Sequence, residues 1–155
     1  MRYLELRRHA ARDPEEDKLS AKGRAQARTL GEASGEFRYA VVFVSPAQRA
    51  AETAAWFLRG AGHGLPDHEV VPALAGRDET GGAPDGLAAS LRSLLERVPN
   101  GGRAIAFSHT PIVEHAVFGL TGREIEPLGE CEGVLLTQQD DGAITVGELR
   151  LGAPG

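Results

Sequence analysis

Val41-Val42-Phe43-Val44 is an unbroken apolar run of strand length, rich in β-branched residues and without polar alternation. Such a strand has no face to give to water and needs cover on both sides. Ala104-Ile105-Ala106-Phe107 reads the same way, and Tyr3-Leu4-Glu5-Leu6 is a further short strand with partial alternation. Val70-Val71 is a short strand candidate, and Val134 to Thr137 and Ile144 to Leu149 form a hairpin across Asp140-Asp141-Gly142.

Helical stretches lie between these runs. Ser20 is a cap for a helix over 21–33, with Ala25, Ala27, Leu30 and Ala33 as a small-residue face. Gly23 weakens its first turn by roughly 1 kcal/mol relative to alanine. Residues 47–59 form a second helix that packs through Ala51, Ala54, Ala55 and Leu58. Leu87 to Val98 is strongly amphipathic, with Leu87, Leu91, Leu94, Leu95 and Val98 near 3.6-residue spacing. Ile112 to Leu120, opened by Pro111, is a fourth helix. Residues 75–86, rich in glycine, form the longest irregular stretch, either a segment flanking a site or a plain surface loop.

Strands alternating with helices predict an α/β fold: a three-layer sandwich, its central sheet mainly parallel, with the last hairpin as an antiparallel edge. Residues 1–155 are expected to form a single domain with its own core. Ligands of such folds collect at the carboxyl ends of strands. Each buried run ends there in a polar cluster: Arg8-His9, Ser45 to Arg49, and Ser108-His109. Ser45 or Pro46 also stands at a helix entrance, where amide N–H groups can face an anion.

Those residue types suit phosphate chemistry. Arg8 and Arg49 each offer a rigid fork of donors that matches phosphoryl oxygens. His9, neutral in part near pH 7, can attack phosphorus and form a phosphohistidine that water then hydrolyses. A carbonyl on its other ring nitrogen would fix the tautomer, and His109, if protonated, would add a third donor to the oxygens. Taken singly, a strand-end histidine or a helix-start arginine is ordinarily a boundary or solvated residue; a phosphate pocket requires all the clusters to meet.

Other chemistries fit less well. His109 and His115 are six apart and do not share a helix face, and no HExxH, paired cysteines or P-loop occurs. Ser108 and His109 are adjacent on a strand and point to opposite faces, and a GxSxG elbow is absent. A formal charge of −5 without a basic block does not support nucleic-acid binding. The single cysteine, Cys131, lies between Glu130 and Glu132 and has no partner for an internal bridge. No apolar run is long enough to span a membrane, and MRYLELRRHA holds no separate targeting segment, so a cytoplasmic location is expected.

In order along the chain, LRRHA, then Leu19-Ser20-Ala21-Lys22-Gly23 with Gln26-Ala27, then SPAQRAAET over Ser45 to Thr53, then SHTPIV over Ser108 to Val113 resemble the signatures of the histidine phosphatase superfamily, the phosphoglycerate-mutase-like group. The short, SixA-like phosphohistidine phosphatases are the most similar branch, where alanine commonly follows the histidine, as Ala10 does here. The resemblance implies a phosphoglycerate-mutase-like fold and a metal-independent phosphatase with His9 as the phosphorylated nucleophile. Arg8, Arg49 and His109 would complete the phosphate pocket. It implies no metal and no organic cofactor. The partner would be a phosphorylated small molecule or a phosphohistidine-bearing protein.

One departure stands out. Ala73 occupies a position where family members commonly carry a glutamate general acid. Asp78, ahead of Glu79, is the replacement candidate, and an ordinary loop carboxylate is the alternative. A missing acid suits a labile leaving group such as imidazole better than an alkoxide, which needs a proton. Two further readings are compatible with the sequence: a regulatory module that binds phosphate without turnover, and a mutase-type phosphotransferase, for which the chain offers little material to build a lid.

Overall fold

The computed structural model describes residues 1–63, 68–77 and 82–151. The elements run β1 (Arg2–Arg8), α1 (Ala21–Ala33), β2 (Val41–Val44), α2 (Gln48–Gly60), β3 (Glu69–Val70), a 3-10 turn (Pro72–Ala75), α3 (Pro84–Glu96), β4 (Arg103–Ser108), α4 (Ile112–Thr121), β5 (Gly133–Gln138) and β6 (Ile144–Leu149). The sheet has the order β3-β2-β4-β1-β5-β6. β1, β2, β3 and β4 pair in parallel, and β5 and β6 add antiparallel edges beside β1. This is the expected α/β three-layer sandwich, its sheet mainly parallel with an antiparallel edge.

The unalternating runs behave as their composition demands. Val42, Val44, Ile105 and Phe107 pack into one apolar layer with Ala27, Leu30, Ala54 and Phe57 of α1 and α2. Phe43, Ala104, Ala106, Leu4 and Leu6 pack into the opposite layer with Leu87, Leu91, Leu94 and Leu95 of α3 and Val113 of α4. Each fully buried leucine or phenylalanine contributes roughly 1.5–3 kcal/mol, so both faces of the strands are anchored.

The small residues of α1 are divided differently from the expectation. Its buried face is Gly23, Ala27, Leu30 and Gly31, whereas Ala25 and Ala33 are exposed. Glycine is required by close approach: a Cβ on Gly31 would stand 1.9 Å from the Phe57 carbonyl oxygen, and one on Gly60 would stand 2.0 Å from that of Arg28. The two helices therefore meet backbone to backbone. On α2 the buried side is Ala50, Thr53, Ala54, Phe57 and Leu58, one residue round from the expected Ala51 and Ala55, because Phe57 fills the layer next to Phe107 with ring centroids 5.6 Å apart.

Both ends of the stretch 75–86 are regular: Ala75 closes the 3-10 turn, and α3 already begins at Pro84 with proline in its first turn. Glu5 does not face water; it is 1% exposed and paired with Arg7 and Arg103, and Tyr39 donates its hydroxyl to it at 2.6 Å. A buried carboxylate needs such company to remain charged.

Candidate active site

β2, β4 and β1 are neighbours in the sheet, so their carboxyl ends open side by side. Arg8 ends β1, and His9 extends the ladder by donating its amide to the Ser108 carbonyl at 3.0 Å. Ser45 follows β2 and donates its amide to the Phe107 carbonyl at 3.0 Å. His109 leaves β4 on the same side. The rings of His9 and His109 lie 5.3 Å apart between centroids, at an interplanar angle of 63°.

The hydrogen bonds assign both tautomers. Nδ1 of His9 lies 2.7 Å from the Ala10 carbonyl oxygen, which only accepts, so Nδ1 carries the hydrogen. Nε2 of His9 is thereby left with a lone pair, and Arg49 donates its Nε to that atom at 3.3 Å. A second nitrogen of the same guanidinium donates to Nδ1 of His109 at 3.2 Å. His109 then carries its hydrogen on Nε2 and donates it to the Ser45 hydroxyl oxygen at 2.6 Å. One arginine thus spans both imidazoles.

Both rings are held neutral. Burial is the main force lowering the His9 pKa; the Ala10 carbonyl opposes it, and the charges of Arg49, Arg8 and Arg12 add to it. His109 is lowered to about 4, by burial first and then by Arg49 and His9. In the free site the proton-bearing nitrogen of His109 is engaged with Ser45, and its other nitrogen accepts from Arg49. Arg8 lies close enough for its charge to act on His9. One of its terminal nitrogens donates to the Leu128 carbonyl at 2.8 Å, and its buried Nε makes no hydrogen bond among the described residues.

The chain after His9 is fixed from several sides. Thr53 accepts the Ala10 amide at 3.1 Å and donates to the Arg49 carbonyl at 2.7 Å, which ties α2 to the residue beyond the nucleophile candidate. Gln26 accepts the Ala11 amide at 2.9 Å. The Ser20 hydroxyl accepts the Gly23 amide as the cap of α1 and also donates to the Ala11 carbonyl. Gly23, costly to helix propensity, is there because a Cβ would sit 1.9 Å from the Ala11 carbonyl oxygen.

Sequence reasoning missed Asp17. Its carboxylate accepts from the amides of Gln48 at 2.9 Å and Arg49 at 3.2 Å, and forms an ion pair with the Arg49 guanidinium at 2.8 Å. The Ala47 amide is taken by the Ser45 hydroxyl at 3.2 Å. The amides at the entrance of α2 are thus satisfied from within the chain, and the expected anion seat there is occupied by a carboxylate. The only sequence signal was one acid among Asp13, Glu15, Glu16 and Asp17 in a charged loop.

Asp78 and Glu79 lie outside the described residues. Ala73 stands in the 3-10 turn, before a buried Leu74. Ser108 turns away from the site and donates to the Leu74 carbonyl. Among the described residues, no cluster of three or more His, Cys, Asp or Glu side chains could hold a metal ion, and no helix is long and apolar enough to cross a membrane.

The family model for the histidine phosphatase superfamily (branch 1) matches residues 5–78, a span that carries Arg8, His9, Arg49 and Thr53. Over that span the chain is similar to the histidine phosphatase superfamily. This is a superfamily of phosphatases and phosphomutases. The protein histidine phosphatase SixA, complexed with tungstate, is 24% identical, with a TM-score of 0.70 over 96% of each chain. A phosphoserine phosphatase from Entamoeba histolytica, in complex with 3-phosphoglyceric acid, is 17% identical, with a TM-score of 0.76 over 98% of each chain. A phosphoglycerate mutase from Bacillus anthracis str. Sterne is 15% identical, with a TM-score of 0.77 over 94% of this chain and 91% of that one. These identities carry the fold. No curated protein sequence matches the chain.

Proposed function

We propose that this protein is a member of the histidine phosphatase superfamily and a metal-independent phosphatase that works through phosphorylated His9, acting on a phosphohistidine or a small phosphomonoester. The observation that carries the reading is the state of His9: Nδ1 is committed to the Ala10 carbonyl, and Nε2 is an uncharged base under Arg49. In the proposed reaction Nε2 attacks phosphorus and the bond from phosphorus to the leaving group breaks. The leaving group departs with the electron pair and takes up a proton. Water then attacks the phosphoryl group on His9, the N–P bond breaks, and inorganic phosphate and neutral His9 are released.

Arg49 and Arg8 supply fixed positive charge for the equatorial oxygens, which is where charge accumulates in phosphoryl transfer. Arg49 would pass from the imidazole lone pairs to those oxygens as substrate enters. Asp78 and Glu79 remain the carboxylate candidates for the proton donor, since Ala73 brings none. A labile leaving group lessens the need for one, so this reading favours phosphohistidine borne on a protein, in the manner of SixA-like enzymes.

Turnover of a chromogenic aryl phosphate tests it. The protein should hydrolyse the ester in the presence of EDTA, and His9→Ala should abolish hydrolysis while still binding tungstate. Undiminished hydrolysis by His9→Ala would remove the reading, and tungstate binding without any turnover by the unsubstituted protein would favour a binding module.

A further inference from the structure

Arg49 is the residue on which both imidazoles depend, and its own position has a specific origin. Its guanidinium makes three contacts: Nε to His9, one terminal nitrogen to His109, and the other to Asp17 at 2.8 Å. An arginine side chain is long and rotatable, so two bonds to weakly accepting imidazoles are a poor means of aiming it. Asp17 supplies the charged third contact.

Asp17 is itself held. Its carboxylate caps α2 through the amides of Gln48 and Arg49. Its pKa is lowered despite partial burial, because the Arg49 side chain and those two amides favour the charged form. The loop that carries it is folded on itself: Asp13 accepts the amides of Glu15 and Glu16 at 2.9 and 3.0 Å, and the Asp13 amide donates to the Lys18 carbonyl at 2.7 Å. Arg12 adds bonds to the carbonyls of Asp13 and Glu16. The loop starts just after His9-Ala10-Ala11 and is pinned again where the Leu19 amide donates to Glu52 of α2.

We infer that Asp17 is a positioning residue that acts through Arg49: it grips one side of the guanidinium so that the opposite edge is presented to the oxyanion. The inference rests on the proposed phosphate-pocket reading. When an oxyanion enters, Arg49 exchanges its two imidazole contacts for oxygen contacts and keeps the Asp17 contact as its pivot. Asp17 stays anionic, so on charge alone it would repel the anion. Positioning and repulsion therefore predict opposite signs for its removal, which makes the inference testable.

The experiment is tungstate binding by calorimetry to the unsubstituted protein, Asp17→Asn, Arg49→Ala and the double variant, with the thermal midpoint of each. Asp17→Asn is the informative change, since an amide oxygen can still cap α2 but the ion pair to Arg49 is lost. Tungstate affinity should fall roughly tenfold, the scale of one charge-assisted contact. Asp17→Asn should add nothing in the Arg49→Ala background. Unchanged or tighter binding by Asp17→Asn overturns the inference while leaving the phosphate pocket standing, and so does an equal loss in both backgrounds. Failure of the unsubstituted protein to bind tungstate overturns both. Should Asp17→Asn unfold at the assay temperature, Asp17→Glu takes its place, with restored affinity expected if the carboxylate regains Arg49 and a lasting loss of the pair's coupling to Arg49 counting against it.

Discussion

Arg49 donates its Nε to Nε2 of His9 across 3.3 Å, so the atom proposed to attack phosphorus is already covered by the cation proposed to stabilise the product of that attack. The arrangement holds the lone pair beneath a cation and favours the uncharged ring. Replacing Arg49 by alanine frees the lone pair but removes the oxyanion donor. Loss of one such donor costs on the order of 100-fold to 1,000-fold in turnover. Arg49→Ala should therefore slow aryl phosphate hydrolysis by about that factor, and Arg49→Lys should recover little of it because a point charge cannot span both imidazoles. Full recovery with lysine would show that charge alone suffices.

The histidines make the fold acid-sensitive in a stated direction. His109 takes its proton near pH 6.5 in the unfolded chain and only at about 4 when folded. Between those values the unfolded state holds more protons, so stability is lost as pH falls from 6.5 toward 4. His9 acts in the same sense, since its pKa is also lowered. Denaturant unfolding at pH 7.5 and pH 5 should show a loss of stability that is smaller in His109→Gln. In NMR titration, tungstate should raise the pKa of His109, because a bound anion favours the imidazolium. An unchanged or lowered value would argue against an anion site beside it.

Much of this site is written in the sequence, and the physical reasons are particular. Arg8-His9 and Ser108-His109 are legible because polar residues end runs such as Ala104 to Phe107, and a buried parallel strand must surface at its carboxyl end. Asp17 was not legible, since its partners Gln48 and Arg49 are more than thirty positions away and its neighbours are acids of the same kind. The burial of Glu5 was not legible, because alternation reports polarity, not exposure, and Arg7, Arg103 and Tyr39 convert a polar face into a buried cluster. On α1 the expected Ala27 and Leu30 are buried but Ala25 and Ala33 are not, because alanine is indifferent to burial, whereas Gly23 and Gly31 were fixed by contacts that only coordinates reveal.

Gly23→Ala is a test of that last point. On propensity the change should strengthen α1 by roughly 1 kcal/mol. The new Cβ would meet the Ala11 carbonyl oxygen at 1.9 Å, which backbone must move to relieve. The expected outcome is a destabilisation of about 1–3 kcal/mol. A fall in turnover should accompany it, because Ala11 lies two residues beyond His9. A stabilised, fully active variant would mean that α1 can shift freely.

Glu5→Gln removes the charge shared by Arg7 and Arg103 while keeping the shape. Breaking a buried pair on one side costs about 3–5 kcal/mol, since the remaining cations lose their counter-charge. A marked fall in the thermal midpoint is expected, with aryl phosphate turnover retained below it, because the cluster lies on β1 upstream of His9 and does not touch Arg49. A midpoint within error of the unsubstituted protein would contradict the account of that face.

Leaving groups should sort the substrates. With Ala73 in place of a carboxylate, the rate of the first step should fall as the leaving group becomes more basic, so phosphoramidate and aryl esters should be cleaved much faster than alkyl esters. A series of phosphates of graded leaving-group basicity gives the slope directly. Equal efficiency on aryl and alkyl esters would mean that an acid is supplied, with Asp78 and Glu79 the residues to substitute next.

The central claim is that His9 carries the phosphoryl group through the reaction. The direct measurement is rapid quench in alkali, which preserves phosphohistidine, followed by peptide mass analysis during turnover of an aryl phosphate. The account predicts one phosphoryl group on the peptide containing His9, formed at a rate no slower than turnover and lost when substrate is exhausted. Turnover with no phosphorylated His9 at any time, or the phosphoryl group on another residue, would contradict it.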